Sequence, residues 1–269
     1  MVAEMLGGAE LVEITTTGDR VRAAGDKSRF VKEIEEALLA GEVDLAVHSA
    51  KDVPGVLPDG LVIASVPPRA DPRDVLCGAE SIAALPQAAR VGTASVRRRS
   101  QLLSQRDDLE VVELRGNVDT RLRRLAEGAF DAIVLAAAGL ERLGRGGEGT
   151  PVPLDVMTPA PGQGCLALEI RADDVAARGA VEAISDPLAA AALAAERECV
   201  VALDATCDTP VGVFAECVGG DPKRLRMRAY AGAPDGSVWM HDWIEGGDDV
   251  GRALAARMLE AGVAKILAG

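Results

Sequence analysis

Two consecutive strand-loop-helix units with arginine at the same corner constrain this chain more than any other feature. In the first, a short apolar run ending at Gly92 leads through the small residues Thr93, Ala94 and Ser95 into a helix whose first turn holds Arg97, Arg98 and Arg99. The second repeats the design with a strand from Leu109 to Leu114, the loop Arg115-Gly116-Asn117, and a helix from Asp119 or Thr120 that carries Arg121, Arg123 and Arg124. A helix N-terminus already presents unpaired N–H groups and a partial positive charge, so arginines there are unfavourable without an anion nearby. Guanidinium forks suit carboxylates or phosphates. One such loop reads equally well as a solvated basic face, but two in succession favour an anion site.

Composition narrows what that anion can be. At 269 residues and 48% hydrophobic content the chain can bury a full core and form two or three domains. No apolar run is long enough to span a bilayer, and the opening MVAEMLGG is unlike a secretion signal, so a soluble cytoplasmic protein with no membrane partner is expected. The net charge of -13, with two Trp and one Tyr, argues against a nucleic-acid surface. A basic pocket on an acidic body suits a small anion. The five cysteines (Cys77, Cys165, Cys199, Cys207, Cys217) form no CxxC pair, and only His48 and His241 could assist them, so neither a metal site nor a disulfide framework is expected.

Along the chain, residues 1–8 read as the end of a helix closed by Gly7-Gly8, and Ala9 to Thr16 as a β-branched strand. An α/β domain would place a strand before that helix, so the chain is expected to start late. Phe30 to Ala40 has helical spacing, with Phe30, Ile34, Ala37 and Leu38 on one face and Lys32, Glu33, Glu35 and Glu36 mostly outward; Gly41 stops it. Val43 to Val47 reads as a buried parallel strand that delivers His48, Ser49, Lys51 and Asp52 to its C-terminal end, where ligands of open α/β sheets gather. The helix-Gly-Asp-strand pattern around Gly41 and Asp44 recurs around Gly128 and Asp131, which suggests two similarly built α/β domains facing a shared cleft. Val66 to Pro72 and Thr158 to Gly164 read as the two crossings between them. Pro187 opens a third region: an Ala-rich helix to about Leu203, a loop with Cys207, strands at Val211 to Val218 and Arg224 to Tyr230, a further strand, and a helix from Asp249 to Ala261.

The segments DLAVHSAKDVP (Asp44 to Pro54), VGTASVRRRSQL (Val91 to Leu102), RGNVDTRL (Arg115 to Leu122), FDAIVLAAAGLERL (Phe130 to Leu143), PAPGQG (Pro159 to Gly164), AERECVVAL and ATCDTPVG (Ala205 to Gly212) cover nearly the whole chain in order. In them the chain resembles the porphobilinogen deaminase (hydroxymethylbilane synthase) family. The resemblance implies two periplasmic-binding-protein-like α/β domains with a double hinge and a smaller C-terminal α+β domain, divided as 1–68 with 165–184, 69–164, and 187–269. It implies a monomeric transferase of tetrapyrrole (haem) biosynthesis that joins four porphobilinogen molecules head to tail, losing ammonia each time. The primer is a dipyrromethane cofactor held by a thioether, here to Cys207. By position-wise match Ser49, Lys51, Thr93, Ser95, Arg97 and Arg98 would bind the cofactor, Arg115, Arg121 and Arg142 the substrate, and Asp52 would be the catalytic group. The acetate and propionate of each pyrrole unit explain the arginines, since the growing chain gains negative charge at every step. Arg99, Arg123 and Arg124 read as surface charges, His48 as structural, and Cys165, Cys199 and Cys217 as core.

Three departures stand out. The family's Gly-Lys-Gly-Leu-Phe lid is Asp26-Lys27-Ser28-Arg29-Phe30 here, the glycine before the cofactor cysteine is Thr206, and the opening strand and most of the first helix, with an arginine and a serine that contact the cofactor, have no counterpart. A truncated inactive relative and a non-catalytic anion-binding clamshell are the alternatives.

Overall fold

The computed structural model describes residues 1–14, 28–206 and 208–268; Cys207 and the lid residues Asp26 and Lys27 lie outside them. Helix α1 (Val2–Met5) is closed by Gly7 and Gly8, both at positive φ. Residues 9–14 take no regular structure, and Leu11 is 84% exposed, so the described part of the expected Ala9–Thr16 strand is not a strand. Strand propensity is expressed only against a neighbour, and this segment pairs with none of the described strands.

Helix α2 (Ser28–Ala40) buries Val31, Ala37 and Leu38 and ends at Gly41, whose φ of 71° lets the last carbonyls be capped. Its Glu35 turns inward rather than outward and is 6% exposed; burial and the Glu169 charge push its carboxyl up. The helix packs on a sheet of β1 (Ala46–Ser49), β2 (Leu61–Ser65) and β8 (Leu166–Arg171), in the order β1-β8-β2. Both pairings are antiparallel. The expected parallel strand Val43–Val47 is therefore corrected in position and direction. Its partner β8 arrives from the return crossing and runs the opposite way. Val47 is 46% exposed while Ala46 and His48 are buried, the alternation of a strand covered on one face. Helix α6 (Val175–Glu182) follows β8 and buries Val181.

The second sheet holds β3 (Asp74–Cys77), β4 (Arg90–Gly92), β5 (Glu110–Val112), β6 (Ala132–Ala136) and β7 (Thr150–Pro151), in the order β5-β4-β6-β3-β7. β4 runs parallel to β5 and β6, and β3 antiparallel to β6. Helices α3 (Val96–Gln105), α4 (Val118–Ala126) and α5 (Ala137–Arg142) follow β4, β5 and β6. Ser95 and Asn117 cap α3 and α4. Leu76, Val91, Leu102, Val134 and Met157 form the core beneath.

The third sheet is an antiparallel meander of β9 (Val211–Cys217), β10 (Leu225–Gly232) and β11 (Trp239–Gly246). Helices α7 (Pro187–Ala202), α8 (Val250–Glu260) and α9 (Val263–Leu267) cover it, with Cys199, Met227, Leu254 and Met258 at the centre. α7 starts where Pro187 fixes the first turn and Asp186 accepts from the N–H groups of Leu188 and Ala189. No described helix is long and apolar enough to cross a membrane.

Candidate active site

The chain passes from the first sheet to the second at residues 66–73 and returns at 152–165, and the site forms around the return. On the first-sheet side, β1 ends at Ser49 and the backbone makes one 3-10 turn, Ala50–Asp52, that presents half-buried Lys51 and Asp52. The Ala50 N–H donates to the Cys165 carbonyl at 3.1 Å. Gly162 lies against the same turn: a Cβ there would stand 2.9 Å from the Ala50 carbonyl carbon and 3.0 Å from the Lys51 nitrogen. Glycine is what permits that approach.

On the second-sheet side, Thr93 is buried at the end of β4 and its Oγ1 accepts from the Ser95 N–H at 3.2 Å. Ser95 in turn caps the Arg98 N–H. The anion that arginines at this corner demand is a carboxylate of the chain itself. Asp74, fully buried at the start of β3, accepts from Arg97 Nη1 at 2.8 Å and Arg98 Nε at 2.9 Å. Arg97 also donates to the Thr158 carbonyl and Arg98 to that of Val134, and the two side chains are only 4% and 5% exposed. Burial pushes the Asp74 carboxyl up, but the Arg97 and Arg98 charges outweigh it and hold the group far below the usual carboxylate range. Gln163 Nε2 completes the node, donating to Asp74 at 3.0 Å and to the Pro72 carbonyl at 2.7 Å. Arg97 Nε is buried with no partner.

The remaining arginines are arranged differently. Arg115 is exposed and pairs with Glu113 at 2.6 Å. Arg121 is half-buried, donates to the Gly116 carbonyl at 2.8 Å, and has no carboxylate partner among the described residues. Burial and the nearby Arg98 charge lower its pKa. Arg142 donates to the Gly164 carbonyl at 2.8 Å, likewise without a carboxylate partner, and burial lowers its pKa too. Arg99 and Arg123 lie on the surface, the latter 3.7 Å from Glu127, and Arg124 is exposed. The return crossing thus touches the Asp52 turn through Gly162, the Asp74–Arg97–Arg98 node through Gln163, and Arg142 through Gly164.

This arrangement coincides with strong sequence matches. Residues 1–179 match the family description "Porphobilinogen deaminase, dipyromethane cofactor binding domain" and residues 190–260 match "Porphobilinogen deaminase, C-terminal domain". The chain belongs to the porphobilinogen deaminase family. It is 44% identical to the porphobilinogen deaminase of Brevibacillus brevis, over 96% of this chain and 86% of that protein. Identity is 46% to the Rubrobacter xylanophilus enzyme (96% and 87% covered) and 47% to that of a Roseiflexus species (95% and 87%). The function that follows is that of a hydroxymethylbilane synthase, a transferase of tetrapyrrole biosynthesis with porphobilinogen as substrate and a dipyrromethane-binding domain.

Within that family assignment, the cysteines separate clearly. Burial raises the thiols of Cys77 and Cys165 to about 11 and that of Cys199 to about 12, so they stay protonated and poorly nucleophilic at neutral pH. Cys217 is half-buried at the end of β9. The neighbours of Cys207 are held locally: the Thr206 N–H and hydroxyl both bond to Thr209 Oγ1 (2.9 and 3.2 Å).

Sequence reasoning missed Asp74, Gln163, Arg69, Glu196 and Arg197. Gln163 lay inside the quoted PAPGQG segment and Glu196 and Arg197 inside AERECVVAL, but nothing local marks any of them as a buried partner of a distant group. His48, read as structural, is hydrogen-bonded through Nε2 to the buried carboxylate of Glu169 at 2.8 Å.

Proposed function

We propose that the cleft between the first and second sheets holds the dipyrromethane through Lys51, Ser49, Thr93, Ser95 and the arginines around the return crossing, with a thioether to Cys207, and that Asp52 is the catalytic group. The single observation that carries this reading is the meeting, on one crossing segment, of the Asp52 turn and Arg142, which has no carboxylate partner among the described residues. The donor set fits a ligand with several carboxylates: Arg121 and Arg142 have no acidic partner among the described residues, and Arg97 Nε is a buried donor with no acceptor. When bound, the dipyrromethane supplies the primer to which the first substrate is joined.

The residues of the chain divide the work by charge. Arg115, Arg121 and Arg142 grip the acetate and propionate groups of incoming porphobilinogen, and the burial that lowers the guanidinium pKa of Arg121 and of Arg142 is offset when a carboxylate arrives. Arg97 and Arg98, whose two positive charges share the single carboxylate of Asp74, act mainly by fixing the floor of the cleft and add donor capacity through Arg97 Nε. Asp52 stands beside the substrate pyrrole N–H, where its carboxylate stabilises the positive charge that develops as ammonia departs from the aminomethyl carbon and accepts a proton at its own oxygen. Cys207 is favoured as the attachment point because burial suppresses the thiolates of Cys77, Cys165 and Cys199. The three sheets correspond to domains 1–68 with 165–184, 69–164 and 187–269, working as a cytoplasmic monomer without nucleic-acid partners.

Intact mass and turnover, measured together, test the reading. Cys207→Ser is expected to lack the dipyrromethane mass that the wild type carries. Asp52→Ala is expected to keep it while losing on the order of a hundredfold or more in turnover. An adduct on another cysteine, or Asp52→Ala turning over within a few-fold of wild type, overturns the corresponding assignment.

A further inference from the structure

Helix α7 carries Glu196 and Arg197 in succession, and the two reach different neighbours. Glu196 faces the crossings. Arg197 reaches the segment that leaves the Asp52 turn: its Nη2 donates to the carbonyls of Pro54 at 2.7 Å and Gly55 at 2.9 Å, and its Nη1 lies 3.5 Å from the Val53 carbonyl. No carboxylate forms a salt bridge with it among the described residues, and burial lowers its pKa against the opposing charge of Glu169. One guanidinium thus gathers three consecutive carbonyls that would otherwise repel one another.

Those carbonyls follow Asp52 directly. A 3-10 turn has poor hydrogen-bond geometry of its own, and here the closing bond from the Val53 N–H to the Ala50 carbonyl is long at 3.3 Å. The turn therefore depends on supports outside itself. Gly162 bears on it from the return crossing, beside Ala50 and Lys51, and Arg197 holds its exit from the third sheet's helix.

We propose that Arg197 is a positioning residue for the condensation: by holding the carbonyls of Val53, Pro54 and Gly55 it sets where the Asp52 carboxylate stands in the cleft. The inference rests on Asp52 being the catalytic group. A misplacement of about 1 Å at a reacting group costs about a hundredfold in rate, so a residue that touches no substrate has leverage here. Lysine is a poor substitute, because a point charge does not span three acceptors as a planar fork does.

The test uses Arg197→Gln and Arg197→Lys in the full chain, with amide hydrogen exchange at Val53 as a readout independent of turnover. Exchange at Val53 is expected to quicken on the order of tenfold in Arg197→Gln, and kcat to fall about 10- to 100-fold with KM within about threefold and the dipyrromethane mass unchanged. Arg197→Lys is expected to recover part of kcat and, if Arg197→Gln is insoluble, decides the matter by the same readouts. In an Asp52→Ala background Arg197→Gln is expected to cost no further turnover, as residues acting through one group do not add. Unchanged exchange at Val53, a raised KM with unchanged kcat, or losses that multiply in the double variant overturn the inference. If Asp52→Ala alone keeps its turnover, the reading of Asp52 fails, while exchange at Val53 still decides whether Arg197 holds the turn.

Discussion

Arg69, on the outgoing crossing, lies 2.6 Å from the carboxylate of Glu196 on α7, and this pair joins all three sheets at one point. Glu196 is fully buried and also accepts from the N–H groups of Gly162 on the return crossing (2.6 Å) and Ala215 in β9 (2.8 Å). Arg69 adds a bond to the Gln163 carbonyl and lies over the Phe214 ring, 4.9 Å from its centroid. Both crossings and the third sheet thus share one carboxylate.

Glu196→Ala is expected to be among the most destabilising single changes outside the apolar cores. It removes the carboxylate from a largely buried guanidinium and strands two buried N–H groups, and breaking such a pair costs about 3–5 kcal/mol. Scanning calorimetry should show a midpoint lower by on the order of 10 °C. A shift of only about a degree would mean that the sheets are held together elsewhere.

Arg97 on α3 and Arg121 on α4 should fail in different ways. Arg97→Ala leaves Asp74 buried with half of its compensation gone, so a stability loss of about 3 kcal/mol or more is expected before any binding effect can be measured. Arg121 has no carboxylate to strand among the described residues, so Arg121→Ala is expected to keep stability within about 1 kcal/mol and raise the KM for porphobilinogen, with a salt dependence weaker than that of wild type. Denaturation curves and initial rates on both variants check this, and the reverse pattern would exchange their roles.

Asp74 also fixes how the fold responds to acid. Its carboxyl is depressed in the folded chain, so the folded state binds fewer protons there than the unfolded state. The stabilisation is fully present above the unfolded carboxyl pKa of about 3.9 and is lost as pH falls below it toward the depressed folded value. Asp74→Asn should therefore be less stable than wild type at neutral pH and show a flatter loss of stability below about pH 4. A wild-type-like acid limb in that variant would assign acid sensitivity to other carboxylates.

What the sequence makes legible is what is settled within a few residues. The stop of α2 at Gly41, the start of α7 at Pro187, the capped helices after β4 and β5, and the β9–β11 meander all carry their signals in caps, turns and periodicity. Direction and partnership are settled at long range. The Val43–Val47 pattern gave no sign that its neighbour would be antiparallel β8, some 120 residues on, and the need of Arg97 and Arg98 for an anion pointed to a ligand because Asp74, just past the proline-rich crossing Val66–Pro72, carries no local mark of a buried partner. Of the residues matched by family motif, Lys51, Arg97 and Arg142 lie against the return crossing; Gln163, Glu196 and Arg197, which brace the surrounding segments, are identified only by their three-dimensional contacts.

Gly162 offers the sharpest test of whether the return crossing governs the Asp52 turn. Its φ of 73° lies in the left-handed region, where a Cβ costs about 1–2 kcal/mol. The Cβ of an alanine would also meet backbone, the Ala50 carbonyl carbon at 2.9 Å and the Lys51 nitrogen at 3.0 Å, and such overpacking adds about 1–3 kcal/mol. Backbone atoms cannot swing aside as a flexible side chain can, so the relief must come from moving the turn that carries Lys51 and Asp52. Gly162→Ala is expected to lower the melting midpoint and to reduce kcat by on the order of tenfold or more, with the dipyrromethane mass retained. Gly139 in α5, where a Cβ meets nothing within 4 Å, supplies the control: Gly139→Ala should be neutral or stabilising by up to about 1 kcal/mol and leave turnover as it was. Equal turnover in the two alanine variants would mean that the contact between Gly162 and Ala50–Lys51 has no bearing on where Asp52 stands.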